Sequence, residues 1–242
     1  MNIGGRSNKG LVRETNQDCM YLPKVNCLPL FIVADGMGGH KAGEVASRLT
    51  VDIISKEIMQ NASYISNLKF ASKIIKDAIK LANKEVFDYS LSHVECKGMG
   101  TTVTLGYVYN NSFIVAHVGD SRAYYLRNKK LVRITEDHSL VNELIKTGEI
   151  TRSEALTHPQ RNVILRAVGT SIDIDIDMDI VEINTSDIFI ICSDGLTNMI
   201  GESKLQDIFE KTEDIEHACE LAIESAIKKG GKDNITVIGI RF

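Results

Sequence analysis

The sequence lacks the features of a membrane protein or of a chain with separate domains. Its 242 residues include no tryptophan and only three prolines, so no Pro-rich linker is indicated. No apolar stretch approaches the ~18 residues that a membrane-spanning helix needs. Residues 1–6 lack the apolar core of a signal peptide. We therefore expect one domain over residues 1–242, without contact to a membrane.

The sequence also has few cysteines and a small net charge. The five cysteines, at positions 19, 27, 96, 192 and 219, form no C-x-x-C pair, and two of them lie in apolar runs. Such thiols are typical of a reducing compartment, which predicts a cytoplasmic protein. The net charge of −4 does not favour binding to nucleic acid or to an anionic membrane. A hydrophobic content of 43% is ordinary for a globular chain with a substantial core.

The sequence does contain one repeated pattern, an apolar run that meets a carboxylate. Residues 30–34 lead directly into Asp35 and Gly36, and other apolar runs are bounded by acids in a similar way. An isolated Asp-Gly at a strand end more often marks a turn, and that interpretation stays open for each acid alone. If the strands end at one edge of a sandwich, however, the acids converge, and carboxylate oxygens select hard cations such as Mg²⁺ or Mn²⁺. The five acids are Asp18, Asp35, Asp120, Asp194 and Asp233.

Hydrophobic periodicity predicts an α+β chain. Apolar stripes at helical spacing indicate helices at about 43–60, 67–89, 202–210 and 214–228. Strands are expected at 101–109, 112–118, 122–126, 130–134, 188–192 and 234–242, with short turns that favour antiparallel pairing. This order is not βαβ alternation, so a parallel doubly wound sheet is disfavoured. Two antiparallel sheets packed face to face and covered by helices fit better.

Two further segments call for separate interpretation. Residues 148–169 are polar and contain Pro159, which predicts a loop or flap. Residues 171–182 alternate between aspartate and apolar side chains. A calcium-binding loop would need glycine where Met178 stands, so an amphipathic strand with an acidic solvent face is the better interpretation.

Seven short segments form a pattern that spans almost the whole chain. They are 10–18, which contains Arg13-x-x-Asn16-x-Asp18, and 33–40, 98–102, 117–122, 135–139, 193–196 and 233–236. In this order they resemble bacterial metal-dependent protein Ser/Thr phosphatases of the type-2C (PPM) family. The resemblance implies a four-layer α-β-β-α sandwich of two antiparallel sheets flanked by helix pairs. It also implies hydrolysis of phosphoserine and phosphothreonine in proteins by a metal-activated water at a binuclear site.

The resemblance extends to cofactors and partners. It implies Mn²⁺ or Mg²⁺, two per subunit, with a third cation at Asp120 in bacterial members. The substrates would be phosphorylated proteins, a Ser/Thr kinase among them, so that the enzyme reverses kinase signalling. We expect a monomer that binds no nucleic acid.

Metal-ligand roles are likewise implied by the family at matching positions. Asp35 would bridge the two cations, and the Gly36 carbonyl would add an oxygen ligand. Asp194 and Asp233 would complete one metal site. Asp18 would act mainly through water bound to the metals.

Two other residues bear on the substrate. Arg13 is the expected phosphate clamp, because a guanidinium presents a rigid fork of donors matched to phosphate oxygens. His40 is a candidate general acid for the leaving serine or threonine oxygen. In the eukaryotic pattern a histidine directly follows the Asp-Gly, a place that Met37 takes here. A structural hydrogen bond is therefore an equal alternative for His40.

Competing functions can be weighed on the same residues. A non-catalytic phosphoprotein-binding module on this scaffold would be expected to lack a metal acid, and none is missing here. A phosphatase dedicated to a sigma-factor partner would often carry extra sensor domains, and none is indicated. A Walker-type nucleotide loop needs Gly-Lys-Ser/Thr, which does not follow Gly36. No C-x5-R loop surrounds Cys192, so a cysteine phosphatase is disfavoured.

Overall fold

The computed structural model describes residues 1–23, 27–39 and 42–242. Over these residues, groups of strands are separated by groups of helices. The strands are β1 Asn2–Asn8, β2 Asp18–Tyr21, β3 Leu30–Met37, β4 Gly100–Thr101, β5 Val103–Tyr109, β6 Ser112–Val118, β7 Arg122–Arg127, β8 Lys130–Arg133, β9 Asp177–Glu182, β10 Ile188–Cys192 and β11 Ile235–Arg241. The α-helices are α1 Ala42–Gln60, α2 Leu68–Ser92, α3 Leu140–Lys146, α4 Arg152–Ala155, α5 Asp194–Thr197, α6 Glu202–Lys211 and α7 Ile215–Lys228.

The strands form two antiparallel sheets. One sheet has the order β1-β11-β10-β7-β8, and the other has the order β2-β3-β5-β6-β9 with β4 beside β3. Each sheet carries a pair of long helices on its outer face, α1 and α2 on the second sheet and α6 and α7 on the first. The predicted four-layer α-β-β-α sandwich of two antiparallel sheets flanked by helix pairs is confirmed.

The central strands are apolar on both faces because each sheet is covered on both sides. In β3, Leu30 and Ile32 pack under the helices α1 and α2, while Phe31 and Val33 point into the layer between the sheets. That middle layer is filled by apolar side chains of both sheets, such as Phe113 and Phe189, whose ring centroids are 4.1 Å apart. Continuous apolar runs, rather than alternating ones, follow from this double burial.

Local signals set the ends of several elements. The side chains of Asn67, Ser139 and Asp214 cap the helices α2, α3 and α7 by accepting backbone N–H groups. The predicted turns are present, with left-handed backbone at Asn110 (φ 52°) and Asn128 (φ 50°). In the described part of the chain, no helix combines the length and the apolar character needed to cross a bilayer.

Two predicted segments differ from the observed structure. The expected strand over 171–182 begins only at Asp177, because the backbone carbonyls of Ser171 and Ile172 accept hydrogen bonds from the Asn83 amide of α2 instead of a strand partner. The segment 148–169, predicted as irregular, contains the short helix α4, which begins with a capping box between Thr151 and Glu154.

The glycine after Asp35 allows a close backbone approach beside the site. A Cβ atom at Gly36 would overlap the backbone oxygen of Gly43, whereas a Cβ atom at Gly39 would meet no atom within 4 Å. We expect Gly36→Ala to lower the free energy of unfolding by about 1–3 kcal/mol, the usual cost of overpacking. Gly39→Ala should stay within about 0.5 kcal/mol of the parent. Urea unfolding in chelator measures both, and equal losses for the two variants would contradict the prediction.

Candidate active site

The acids predicted from the sequence meet at one edge of the sandwich. Asp35 lies in β3, Asp194 follows β10, Asp233 precedes β11, and Asp120 occupies the turn between β6 and β7. Together with Arg13 and Gly36 they line a cavity of about 230 Å³. The other lining residues are Gln17, Met37, Gly38, Asn162, Ile164, Asn198 and Asn234.

Asp18 lies directly opposite Asp35 in the pairing of β2 with β3. Its Oδ2 accepts hydrogen bonds from the hydroxyls of Ser193 at 2.8 Å and Thr236 at 2.6 Å. Thr236 is in β11 of the other sheet and Ser193 directly follows β10, so Asp18 joins the two sheets at the site. The two hydroxyl partners were not predicted. Their signal is a hydroxyl residue beside Asp194 and another soon after Asp233, both within segments of the family pattern.

The backbone of Asp35 is fixed by two neighbouring threonines. The N–H of Asp35 donates to the Thr102 hydroxyl at 2.9 Å. The carbonyl of Asp35 accepts from the Thr102 N–H and from the Thr101 hydroxyl, each at 2.9 Å. Hydrogen bonds thus hold both the N–H and the carbonyl of Asp35, which fixes the backbone position from which its side chain extends. Both threonines lie in segment 98–102 of the family pattern, which by itself predicts no role for them.

Two carboxylate oxygens at the site are buried without a partner. They are Oδ1 of Asp18 and Oδ1 of Asp120, and neither has a hydrogen bond within the described part of the chain. A buried, unpaired carboxylate oxygen is costly. Such atoms therefore fit a bound cation or its water ligands.

The carboxylates also raise one another's pKa values. Burial, followed by the charges of Asp18, Asp194 and Asp120, holds the pKa of Asp35 well above its usual range. Burial raises the pKa of Asp18 to about 7, against the opposing hydrogen bonds of the two hydroxyls. Burial and the Asp233 charge raise the pKa of Asp194, although that side chain accepts a hydrogen bond from Asp35.

The donor set fits a cation that keeps part of its water shell. Over residues 1–23, 27–39 and 42–242, no three His, Cys, Asp or Glu side chains are grouped to hold one ion by themselves. The acids instead reach the cavity from separate strand ends. Mg²⁺, which usually keeps several waters and is held by few carboxylates, suits that arrangement. Opposing cation charge would also relieve the repulsion that raises the pKa values.

Arg13 already contacts one of these acids. Its guanidinium donates to Oδ2 of Asp233 at 2.8 Å, and 52% of its side chain is exposed. The loop that carries Arg13 is tied down by Asn234, whose amide donates to the carbonyls of Lys9 and Thr15 at 2.9 Å. Asn234 also accepts from the Gln17 N–H at 2.9 Å. No sequence pattern predicts that Asn234 anchors this loop.

Two histidines in segments of the family pattern, His40 and His117, remain to be placed. His40 lies outside the described residues, so its predicted role stays a prediction. His117 is buried between the Thr104 hydroxyl, 3.0 Å from Nδ1, and the Glu136 carbonyl, 3.2 Å from Nε2. Burial lowers the pKa of His117 to about 3, so the ring is neutral and its contacts are those of a core residue.

Known proteins have a similar sequence and a similar architecture. Residues 11–228 match the family model of protein phosphatase 2C. The chain is 39% identical over 235 residues to a serine/threonine phosphatase, stp, of Listeria monocytogenes, covering 96% of this chain and 92% of that protein. It also resembles the structure of a Streptococcus agalactiae serine/threonine phosphatase, with a TM-score of 0.92, 33% identity and 98% coverage of both chains.

A third similar structure is the catalytic domain of the serine/threonine protein phosphatase PstP in complex with two manganese ions. Its TM-score is 0.83, its identity is 29%, and the match covers 98% of this chain and 96% of that one. The chain thus belongs to the protein phosphatase 2C (PPM) family. Within it, the protein is a bacterial protein-serine/threonine phosphatase that acts on phosphoproteins.

The carboxylate cluster has a consequence for stability that can be measured. Asp35→Asn removes one ionisable carboxyl group from the crowded cluster. In chelator we expect its midpoint of thermal unfolding to equal or exceed that of the parent, because the repulsion is relieved. The rise in midpoint that Mn²⁺ gives the parent should be lost. Asp173→Asn, which changes an exposed acid, is the matched control, and a retained Mn²⁺ shift in Asp35→Asn would count against a role in metal binding.

Proposed function

We propose that this phosphatase hydrolyses phosphoserine and phosphothreonine esters with divalent cations bound at the carboxylate-lined cavity. The observation that carries the proposal is the pair of buried, unpartnered carboxylate oxygens on Asp18 and Asp120 beside the mutually repelling Asp35 and Asp194. The related PstP structure with two manganese ions supports a metal cofactor for the family. Mn²⁺ or Mg²⁺, two per subunit, is the cofactor that we propose.

The chain offers one set of ligands for each task. Asp35 would hold both cations, and the carbonyl of Gly36 would add an oxygen ligand. Asp194 and Asp233 would complete one of the two metal sites. When bound, the cations activate a water molecule and neutralise the charge of the phosphoryl group. Asp18 is held by two hydroxyls through one oxygen only, which leaves its other oxygen to hold a water in place.

Arg13 is proposed to bind the phosphoryl oxygens of the substrate. Its guanidinium lines the cavity and is half exposed, so a phosphate ester can reach it from outside. The contact to Asp233 uses the NH2 group. Donors on the other side of the fork remain for phosphate, which a planar guanidinium binds in a bidentate manner.

The finer biological assignments follow from the same proposal. Asp120, whose unpartnered oxygen is buried at the cavity, is the candidate ligand of a third cation. A Ser/Thr kinase is the proposed source of the phosphoproteins and one of the substrates. All five cysteines have free thiols, which fits a cytoplasmic protein. A monomer with one domain over 1–242 and a flap at 148–169 remains our prediction.

Removal of the cations tests the proposal directly. Hydrolysis of p-nitrophenyl phosphate and of a phosphothreonine peptide should stop in excess chelator and return with Mn²⁺. Asp194→Ala should lower kcat at least ~10²-fold at saturating Mn²⁺, the scale of losing a main electrostatic stabiliser. Asp173→Ala controls for the loss of an exposed acid. Full turnover in chelator would refute the metal-dependent mechanism.

Arg13→Lys separates the charge of Arg13 from its shape. Lysine keeps a positive charge near Asp233 but lacks the planar fork, so KM for a phosphothreonine peptide should rise about 10-fold. The affinity for Mn²⁺, measured by calorimetry, should change less than about 2-fold because that charge persists. Arg48→Lys, at an exposed ion pair on α1, is the control. An unchanged KM with altered Mn²⁺ affinity would show that Arg13 serves the metals and not the phosphate.

A further inference from the structure

The turn that carries Asp120 is held from one side by a buried histidine. Gly119 precedes Asp120 and has left-handed backbone with φ 111°. The Gly119 N–H donates to Nδ1 of His138 at 3.0 Å, and the His138 N–H donates to the Gly119 carbonyl at 2.7 Å. Both polar groups of Gly119 are therefore satisfied by one residue, which lies 19 positions further along the chain.

The ring of His138 has one possible neutral arrangement in this setting. Because Nδ1 accepts a hydrogen bond, it carries no proton, so the proton is on Nε2. Nε2 lies 3.1 Å from Oδ2 of Asp177 and donates to it. Arg166 donates to the other oxygen of Asp177 at 2.8 Å, and the same guanidinium nitrogen lies 3.1 Å from Nε2 of His138. The ring thus spans from the Asp120 turn to the pair formed by Arg166 and Asp177.

The backbone around His138 is also paired with the segment 163–166. The Leu165 N–H donates to the His138 carbonyl at 2.8 Å, and the Leu140 N–H donates to the Val163 carbonyl at 2.9 Å. Between these two bonds lies Ile164, which lines the cavity. His138 therefore contacts the Asp120 turn with its ring and one wall of the cavity with its backbone.

The other side of the turn is held by the residue before His138. Arg122 donates to both oxygens of Asp137, at 3.1 and 2.7 Å. Bonds from two adjacent residues thus fix the turn on both sides of Asp120, while Oδ1 of Asp120 is left without a partner. This arrangement restrains the backbone and leaves the carboxylate available.

We propose that His138 is a positioning residue that fixes the Asp120 turn and joins it to the cavity wall at 163–166. It acts through its neighbours and has no contact with the substrate. Its effect on metal binding rests on the proposed role of Asp120 as a cation ligand. Its effect on the backbone of Gly119 does not, and the two can be measured separately.

Two substitutions separate the two ends of the ring. In His138→Asn the amide oxygen takes the place of Nδ1 and can accept from Gly119, but the side chain is too short to reach Asp177. In His138→Gln the amide reaches the place of Nε2 and can donate to Asp177, but no acceptor remains beside Gly119. The pair is matched, because each variant keeps one bond of the ring and loses the other.

The first measurements are made on the metal-free protein. In the parent, the ¹⁵N shifts of the ring should show His138 with an unprotonated Nδ1 and a protonated Nε2. Amide exchange at Gly119 should accelerate at least ~10-fold in His138→Gln and less than ~3-fold in His138→Asn. A ring protonated at Nδ1, or equal exchange in the two variants, would overturn the proposal. The ring measurement needs no variant, so a variant that fails to fold does not prevent the test.

The second measurement is calorimetry with Mn²⁺, with Asp120→Ala as the reference. Asp120→Ala identifies any weak Mn²⁺ site that depends on Asp120. The Mn²⁺ affinity of that site should fall at least ~5-fold in His138→Gln and stay within ~2-fold of the parent in His138→Asn. In His138→Asn, KM for a phosphothreonine peptide should rise about 3-fold with kcat unchanged, because Asp177, which pairs with Arg166 of the wall, loses its bond to the ring. Unchanged KM in His138→Asn would disprove the link from the ring to the wall through Asp177. If Asp120→Ala titrates like the parent, the cation role of Asp120 fails, and the exchange data alone decide on His138.

Discussion

Mutual repulsion among the aspartates at one edge of the sandwich constrains the rest of the structure. The charges of Asp18, Asp194 and Asp120 all act on Asp35, and Asp18 sits directly across the β2–β3 pairing from it. Like charges in opposite positions of an antiparallel pair destabilise the pairing. The fold has to hold these groups together in the absence of any cation, so their surroundings must resist relaxation.

The scaffold meets this demand with buried strands and buried hydroxyls. The strands β3, β10 and β11 are packed on both faces, and each has an acid of the site within two residues of one end. Hydroxyls of Thr101, Thr102, Ser193 and Thr236 then fix the backbone of Asp35 and one oxygen of Asp18. A densely packed interior moves little, so small errors in the position of the carboxylates are suppressed.

Much of this arrangement could be predicted from the sequence, because apolar runs that meet acids are local features. The layers, the antiparallel pairing and the convergence of Asp35, Asp120, Asp194 and Asp233 follow from them. The partners of these acids could not be read in the same way. The bond from Thr236 to Asp18 joins residues 218 positions apart, and the chain order alone does not specify the register that brings them together. The late start of the predicted strand, at Asp177 instead of residue 171, has the same origin, since it depends on the amide of Asn83 in a distant helix.

The groups of the site differ in how firmly they are held, and the difference matches their tasks. The carboxylates that would meet cations lie at or near the ends of buried strands, where an ångström of error would matter. Arg13, which would meet the substrate, lies on an exposed loop that is anchored at its base by Asn234. An anchored loop would admit phosphorylated side chains of varied proteins, while cations at the carboxylate edge would fix the position of the phosphoryl group. The fixed acids would thus provide accurate chemistry, and the more accessible arginine would allow phosphorylated proteins of different shape to bind.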